Sequence, residues 1–246
     1  MQIQEKEWFT DWFNSPYYHI LYKNRDKKEA ALFIDNLCGY LQLKNGQKIL
    51  DVACGKGRHS IYLNDKGYDV TGIDLSEKSI RQAQKAENNS LRFKVCDMRQ
   101  LNAKEAYDVA LNLFTSFGYF DKEEDNLTTI KNLYQSLKPG GKLVIDFMNA
   151  RKVIDSLVSG ECRTIENIDF CISRRVENNF IIKEISFYVN ENKHIYEERV
   201  QALFYEDFIK YFNFVGFSPV AIFGDYNLGP YVPTKSDRMI WVVEKK

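Results

Sequence analysis

Histidine, proline and any excess of one charge are scarce in this chain. It has three histidines and five prolines in 246 residues, and its 34 lysines and arginines cancel its 34 aspartates and glutamates. That balance removes the broad electrostatic attraction on which nucleic-acid binders draw, so no nucleic-acid partner is expected. No apolar run approaches the roughly 20 residues needed to cross a bilayer, so no membrane partner is expected. The opening MQIQEKEWFTDWF carries acids early and no small-residue cleavage site after an apolar core; a cytoplasmic protein is expected. The five cysteines, Cys38, Cys54, Cys96, Cys162 and Cys171, form no C-x-x-C pair and are odd in number. That points away from a zinc site or a disulfide framework and toward reduced thiols. Internal repeats and low-complexity tracts are missing too.

What is present fits an ordinary globular protein, with 44% hydrophobic and 28% charged residues. The length suits one large α/β domain, or a medium domain with an insertion. Short β-branched runs alternate with helical periods from about 26 to 147, the signature of β-α-β units and a parallel sheet. The pattern predicts strands over 48–53, 68–73, 91–96, 107–113 and 141–147, and helices near 57–66, 76–88 and 122–137. Ala30, Phe33, Ile34, Leu37 and Leu41 recur at helical spacing and predict a helix over 27–42 packed on the sheet. Lys138-Pro139-Gly140-Gly141 reads as a helix C-cap entering the fifth strand.

After Asn149 the pattern changes. Segments 163–176, 180–190 and 194–204, broken at Glu177-Asn178-Asn179 and Asn190-Glu191-Asn192, read as an antiparallel meander. A helix near 205–214 follows. Strands at 218–224 and 238–244 are joined by a loop with Gly229, Pro230 and Pro233 that is too short and broken for a crossover helix, so they should run antiparallel. This divides the chain into an N-terminal helical lid or cap (1–44), an α/β domain (45–150 and 205–246) and an antiparallel β insertion (151–204).

The chemistry concentrates in Lys48 to Leu63, KILDVACGKGRHSIYL. An acid, Asp51, closes the first strand. Gly55 and Gly57 then let backbone approach a ligand, and a helix N-terminus with unpaired N–H groups follows. A ligand-free tight turn would look the same by itself. Asp74 ends the second strand, 17 residues past Gly57, where it can accept from two ribose hydroxyls, while Ser76 fits the helix N-cap. Asp97 ends the third strand and is placed to accept from an adenine amino group. Three acids at consecutive strand ends match the edge along which open α/β sheets bind ligands.

With these residues in hand, the chain resembles the class I S-adenosylmethionine-dependent methyltransferases over roughly 45–150 and 205–246. The resemblance is carried by ILDVACGKG, Asp74, the CDM at 96–98, YDVALNLFTSFGYF and LKPGGKLVIDF, and by the antiparallel final pair. One departure is Ala53, where the family usually has glycine. The resemblance implies a Rossmann-like seven-stranded sheet with an antiparallel last strand and S-adenosyl-L-methionine as cofactor. It implies that Asp51 and the turn Ala53, Cys54, Gly55 and Gly57 hold the methionine end, Asp74 the ribose, and Asp97 and Met98 the adenine. Leu75 would pack on the adenine ring, and Asn112, Leu113 and Phe114 would face the sulfonium. A lid of the kind seen in related enzymes would be formed by the aromatic residues 12–22.

A sulfonium-borne methyl is already activated, so the protein must align an acceptor and exclude water. Aromatic rings near the sulfur suit a cationic ligand; they cluster at 12–22, with Tyr17, Tyr18 and Tyr22, and at 114–120. His19 is the candidate general base, with Tyr18 beside it. His59 is expected to pack by the cofactor and His194 to be structural. Tyr22 and Arg25 are candidate cofactor ligands, Arg25 through a carboxylate. The fourth strand lacks the Asn-Pro-Pro-Tyr run of base-nitrogen methylases and there is no Pro-Cys nucleophile, so a small-molecule acceptor is expected, with a monomer or homodimer. Three alternatives stand beside this: a nicotinamide (NAD)-dependent oxidoreductase using the same glycine turn, a methyltransferase acting on a protein or RNA, and a non-catalytic binding module.

Overall fold

The structure is a computed structural model that describes residues 8–23 and 27–246. Seven strands form one sheet: β1 (Lys48–Val52), β2 (Asp69–Asp74), β3 (Leu91–Val95), β4 (Tyr107–Asn112), β5 (Leu137–Met148), β10 (Phe217–Phe223) and β11 (Arg238–Lys245). Their order is β10-β11-β5-β4-β1-β2-β3. The strands from β5 to β3 are parallel; β11 runs antiparallel to both β5 and β10. The reversed last strand follows from the short Asp225–Asp237 connection. Helices α4 (Arg58–Asp65), α5 (Glu77–Ala83), α6 (Glu123–Ser136) and α8 (Tyr205–Val215) connect these strands.

Two apolar layers flank the sheet. One holds Ile49, Val70, Leu111 and Val144 with Phe33, Ile34 and Leu37 of α3 (Lys27–Leu41). The other holds Leu50, Ala110 and Ile145 with Ile130 and Leu133 of α6 and Phe208 and Phe212 of α8. Alternate residues of a fully buried strand serve opposite layers, and here both layers are apolar, as a parallel sheet covered on both faces requires.

A second sheet, β6 (Gly160–Ile165), β7 (Ile168–Glu177), β8 (Phe180–Val189) and β9 (Asn192–Gln201), is an antiparallel meander reached through the short helix α7 (Ala150–Asp155). One face, with Phe170, Ile172, Ile185 and Phe187, is covered by Trp12 and Leu21 of helices α1 (Trp8–Asn14) and α2 (Pro16–Leu21). The N-terminal helices therefore divide: α1 and α2 rest on the small sheet, α3 on the large one.

Three expectations need correction. The stretch 163–176 is two strands, because Glu166 and Asn167 both take left-handed φ (50° and 63°) and close a two-residue hairpin turn. Glutamate is a poor signal for such a turn, so the break was hidden. The same hairpin sets Cys162 directly opposite Cys171, and the two form a disulfide where reduced thiols were expected. Finally, 138–141 is not a helix C-cap. Helix α6 ends at Ser136, Leu137 is already extended, and Gly140 (φ 74°) lies in an irregularity where β5 shifts register against β4.

Candidate active site

A cavity of about 520 Å³ opens at the carboxyl ends of β1, β2, β3 and β4. Its floor is the turn after β1. Ala53, Gly55 and Gly57 all have positive φ (60°, 56° and 80°), so the chain coils tightly and turns its backbone toward the opening. A Cβ added at Gly55 would meet nothing within 4 Å, whereas one at Gly57 would lie 2.5 Å from the Phe93 ring. Gly55 thus borders open space. Gly57, the N-cap of α4, is packed beneath the turn and does not line the cavity.

Asp51 is buried, and one of its carboxylate oxygens accepts from Ser60 Oγ at 2.5 Å. Burial, with the nearby Asp74 charge adding to it, pushes its carboxyl up to about 7. Asp74 accepts from the Gly55 N–H and the Ser76 N–H, both at 2.8 Å; burial raises its pKa and these two bonds oppose the rise. Asp74 therefore ties the β1 turn to the β2 turn, and Ser76 is the N-cap of α5. Asp97 caps the 3-10 turn Met98–Gln100 and is gripped by Arg99, whose guanidinium lies 4.5 Å from the centre of the Phe120 ring.

The wall after β4 is unusual. Phe114 and Thr115, neither a glycine, both have φ 59°. A left-handed residue with a side chain costs about 1–2 kcal/mol, and here buried Asp146 of β5 holds the pair in place. Its Oδ2 accepts from the Phe114 N–H at 2.8 Å, its backbone oxygen from the Thr115 N–H at 2.9 Å, and its Oδ1 from Arg238 Nε at 2.7 Å. Arg238 also donates to Thr115 Oγ1 at 2.9 Å. The Phe114 ring stacks on His59, centres 5.0 Å apart and 10° from parallel.

The roof is aromatic. Phe9, Phe13, Tyr18 and Tyr22 of the N-terminal segment face Tyr119 and Phe120, with Phe13 5.6 Å from Tyr119 and 5.0 Å from Tyr18 between ring centres. Asn14, at the end of α1, accepts from Ser76 Oγ at 2.6 Å and so fastens the roof beside Asp74. His19 also lines the cavity. Its Nε2 is buried with no hydrogen-bond partner among the described residues, and burial, reinforced by the positive Lys56 and Lys78, lowers its pKa to about 4.

Of the residues singled out in the sequence, the cavity brings together Tyr18, His19, Tyr22, Asp51, Ala53, Cys54, Gly55, Asp74, Leu75, Asp97, Met98, Leu113 and Phe114. Asn112 is buried behind the wall, its Nδ2 donating to the Ser116 carbonyl at 3.2 Å. Arg25 lies outside the described residues. His59 lines the cavity, and His194 stacks on Phe187 in the small sheet. Sequence reasoning passed over Asp146, Arg238, Asn14 and Arg99. An acid inside the apolar run LVIDF was the available signal for Asp146, since buried charge needs partners.

This arrangement defines the methyltransferase type of the Rossmann-like α/β fold: seven strands, reversed last strand, ligand edge at the β1–β4 carboxyl ends. The family described as a methyltransferase domain matches residues 49–141. Over 111 residues, 44% of this chain, the sequence is 36% identical to the putative methyltransferase YqeM of Bacillus subtilis (strain 168) and spans 45% of that relative's length. An S-adenosylmethionine-dependent methyltransferase from Clostridium acetobutylicum ATCC 824 superposes with a TM-score of 0.79 at 21% identity, covering 93% of this chain and 95% of that one. The S-adenosylmethionine-bound amino pentose methyltransferase CalS10 of Micromonospora echinaspora gives 0.71 at 17%, covering 94% and 98%. Residues 49–141 thus match the methyltransferase-domain family, the chain spans about half the length of the curated relatives it matches, and its fold is that of solved S-adenosylmethionine-dependent methyltransferases.

The residues present fit that cofactor. Gly55 leaves room where a Cβ would intrude, the carboxyl groups of Asp51 and Asp74 suit a cationic ligand bearing hydroxyls, and rings surround the space above them. No group of three or more histidine, cysteine or acidic side chains among the described residues is placed to hold a metal, and no described helix is long and apolar enough to cross a membrane.

Proposed function

We propose that the chain transfers a methyl group from S-adenosylmethionine to a small-molecule acceptor by direct in-line displacement. The observation that carries this reading is the roofed cavity over the strand ends, with three acids on its floor and lower walls and rings above. Bound there, S-adenosylmethionine supplies a methyl group already activated on a sulfonium. Asp51 and the backbone of 53–55 hold the methionine end; Asp74 accepts from the ribose hydroxyls; Leu75, Asp97 and Met98 take the adenine. Leu113 and Phe114 line the sulfonium side. The rings of Phe9, Phe13, Tyr18 and Tyr119 exclude water and press the acceptor toward the methyl.

His19 and Tyr18 remain the candidates for handling the acceptor's proton. A histidine with a pKa near 4 is neutral at pH 7 and a weak base. It suits an acceptor whose nucleophilic atom needs no strong base to free it, such as a weakly basic amine that is unprotonated at pH 7, better than an alcohol. CalS10, whose fold this chain shares, is described as an amino pentose methyltransferase. The test is calorimetry with S-adenosylhomocysteine, followed by mass-spectrometric detection of methyl transfer across a panel of small amines, thiols and alcohols. Saturable binding with transfer to at least one of them is expected. Absence of cofactor binding by a folded chain overturns the reading, as would tight NADH binding in its place.

A further inference from the structure

The large sheet supplies the cavity floor, whereas no described residue of the inserted small sheet lines the cavity. Its contact with α1 and α2 buries apolar side chains and, at one point, a charged pair. Glu198 of β9 accepts from Trp12 Nε1 at 2.6 Å and from the Tyr22 hydroxyl at 2.7 Å. Lys183, paired directly across on β8, has its Nζ 3.4 Å from Glu198 and 4.6 Å from the centre of the Tyr22 ring, and donates to the Tyr22 oxygen. The Lys183 and Glu198 side chains are only 16% and 17% exposed.

A largely buried ion pair contributes little net stability, because desolvation offsets the attraction; removing one partner is costly and the geometry it imposes is specific. What this pair fixes is the roof. Tyr22 lines the cavity and Trp12 is the wholly buried anchor of α1. With its proton directed at Glu198 and its oxygen accepting from Lys183, the Tyr22 hydroxyl has a set orientation.

We propose that Glu198, held by Lys183, is a positioning residue supplied by the inserted sheet. It sets Tyr22 and, through Trp12, helix α1 in the closed position, so that retention of a molecule in the cavity is governed from the insertion. This rests on the reading of the cavity as a S-adenosylmethionine site, and it assigns Glu198 no contact with the reacting atoms.

The test uses the full chain, S-adenosylhomocysteine as probe and stopped-flow tryptophan fluorescence, since Trp8 and Trp12 both report on the roof. Glu198→Ala should release the probe about tenfold faster than wild type, with association changed by less than about threefold. Glu198→Gln keeps an oxygen for Trp12 and Tyr22 and should recover most of the loss. Tyr22→Phe deletes the shared hydroxyl and should also speed release, and adding it to Glu198→Ala should cause no further acceleration. If Glu198→Ala does not fold, Tyr22→Phe and Glu198→Gln decide the matter: release at the wild-type rate in Tyr22→Phe overturns the proposal. So do accelerations that multiply in the double variant. A wild-type chain that binds no probe sinks this inference together with the proposed function, whereas a wild type that binds and a folded Glu198→Ala that releases just as slowly sinks this inference alone.

Discussion

Two surfaces meet across the cavity, and they are built from different materials. The floor is backbone: a left-handed turn after β1, N–H groups bonded to Asp74, and strand ends fixed by their neighbours in the large sheet. The roof is side chain: two helices of seven and six residues, far below the length at which a helix holds itself together in water. They persist because Trp12 and Leu21 are buried on the small sheet and because Asn14, Glu198 and Lys183 pin them. A floor made of connectivity should keep its shape without a ligand. A roof made of a few contacts should open first.

The largest expected effect tests the rigidity of the floor and its wall. Asp146→Ala removes the carboxylate that accepts from the Phe114 N–H and from Arg238 Nε, leaving only the backbone bond to Thr115, and should destabilise the fold by about 3–5 kcal/mol, as removal of one partner from a buried pair does. Denaturant unfolding checks it. A loss below about 1 kcal/mol would mean that the Phe114-Thr115 turn stands without its brace. Next comes Asp74→Ala, expected to weaken S-adenosylhomocysteine binding by about 1–3 kcal/mol through lost hydrogen bonds to the ligand. Calorimetry reads it, and unchanged affinity in a folded variant would remove Asp74 from the site.

The floor was far more legible in the sequence than the roof, and the reason is physical. A tight turn needs residues that tolerate positive φ, and a ligand edge needs acids at strand ends, so ILDVACGKG, Asp74 and Asp97 announced themselves by residue type and spacing. Strands β1 and β2 read clearly because both of their faces are buried, and edge strand β3 because Leu91 and Phe93 alternate with Arg92 and Lys94. The roof gave only a cluster of rings, which suits a lid or a core equally. Its anchors, Glu198 and Lys183, sit in the charged runs Glu197-Glu198-Arg199 and Lys183-Glu184, where a buried pair looks like a solvated face. Gly57 and Asn112 were read as ligand-facing because they belong to the right segments, yet one packs on Phe93 and the other lies behind the wall. Sequence proximity does not say which way a residue points.

A medium effect separates the floor's own preference from the ligand's. Burial raises Asp51 to about 7, above the unfolded value near 3.8, so between those values the folded state holds the extra proton. This group's contribution to stability is therefore fully present below about pH 4 and is lost as pH rises toward 7, at up to about 1.4 kcal/mol per unit. A cationic ligand favours the ionised carboxylate and should bind more tightly as pH rises through the same window. Melting temperatures of the free protein and dissociation constants for S-adenosylmethionine between pH 5 and 8 should thus carry opposing Asp51 components, both absent in Asp51→Asn. Identical pH profiles in wild type and variant would detach Asp51 from the linkage.

The smallest effect concerns Ala53, a non-glycine residue inside the turn after β1. Its φ of 60° lies in the left-handed region, where a Cβ costs about 1–2 kcal/mol. Glycine would remove that cost but give back about 0.4–1 kcal/mol in freedom of the unfolded chain. Ala53→Gly should therefore stabilise the protein by about 0.5–1 kcal/mol, a rise of roughly 1–4 °C in melting temperature for a domain of this size. The same change lets a ligand approach the turn more closely, so affinity for S-adenosylhomocysteine should hold or improve. A drop in melting temperature would show that the floor, like the roof, leans on side-chain packing at this position.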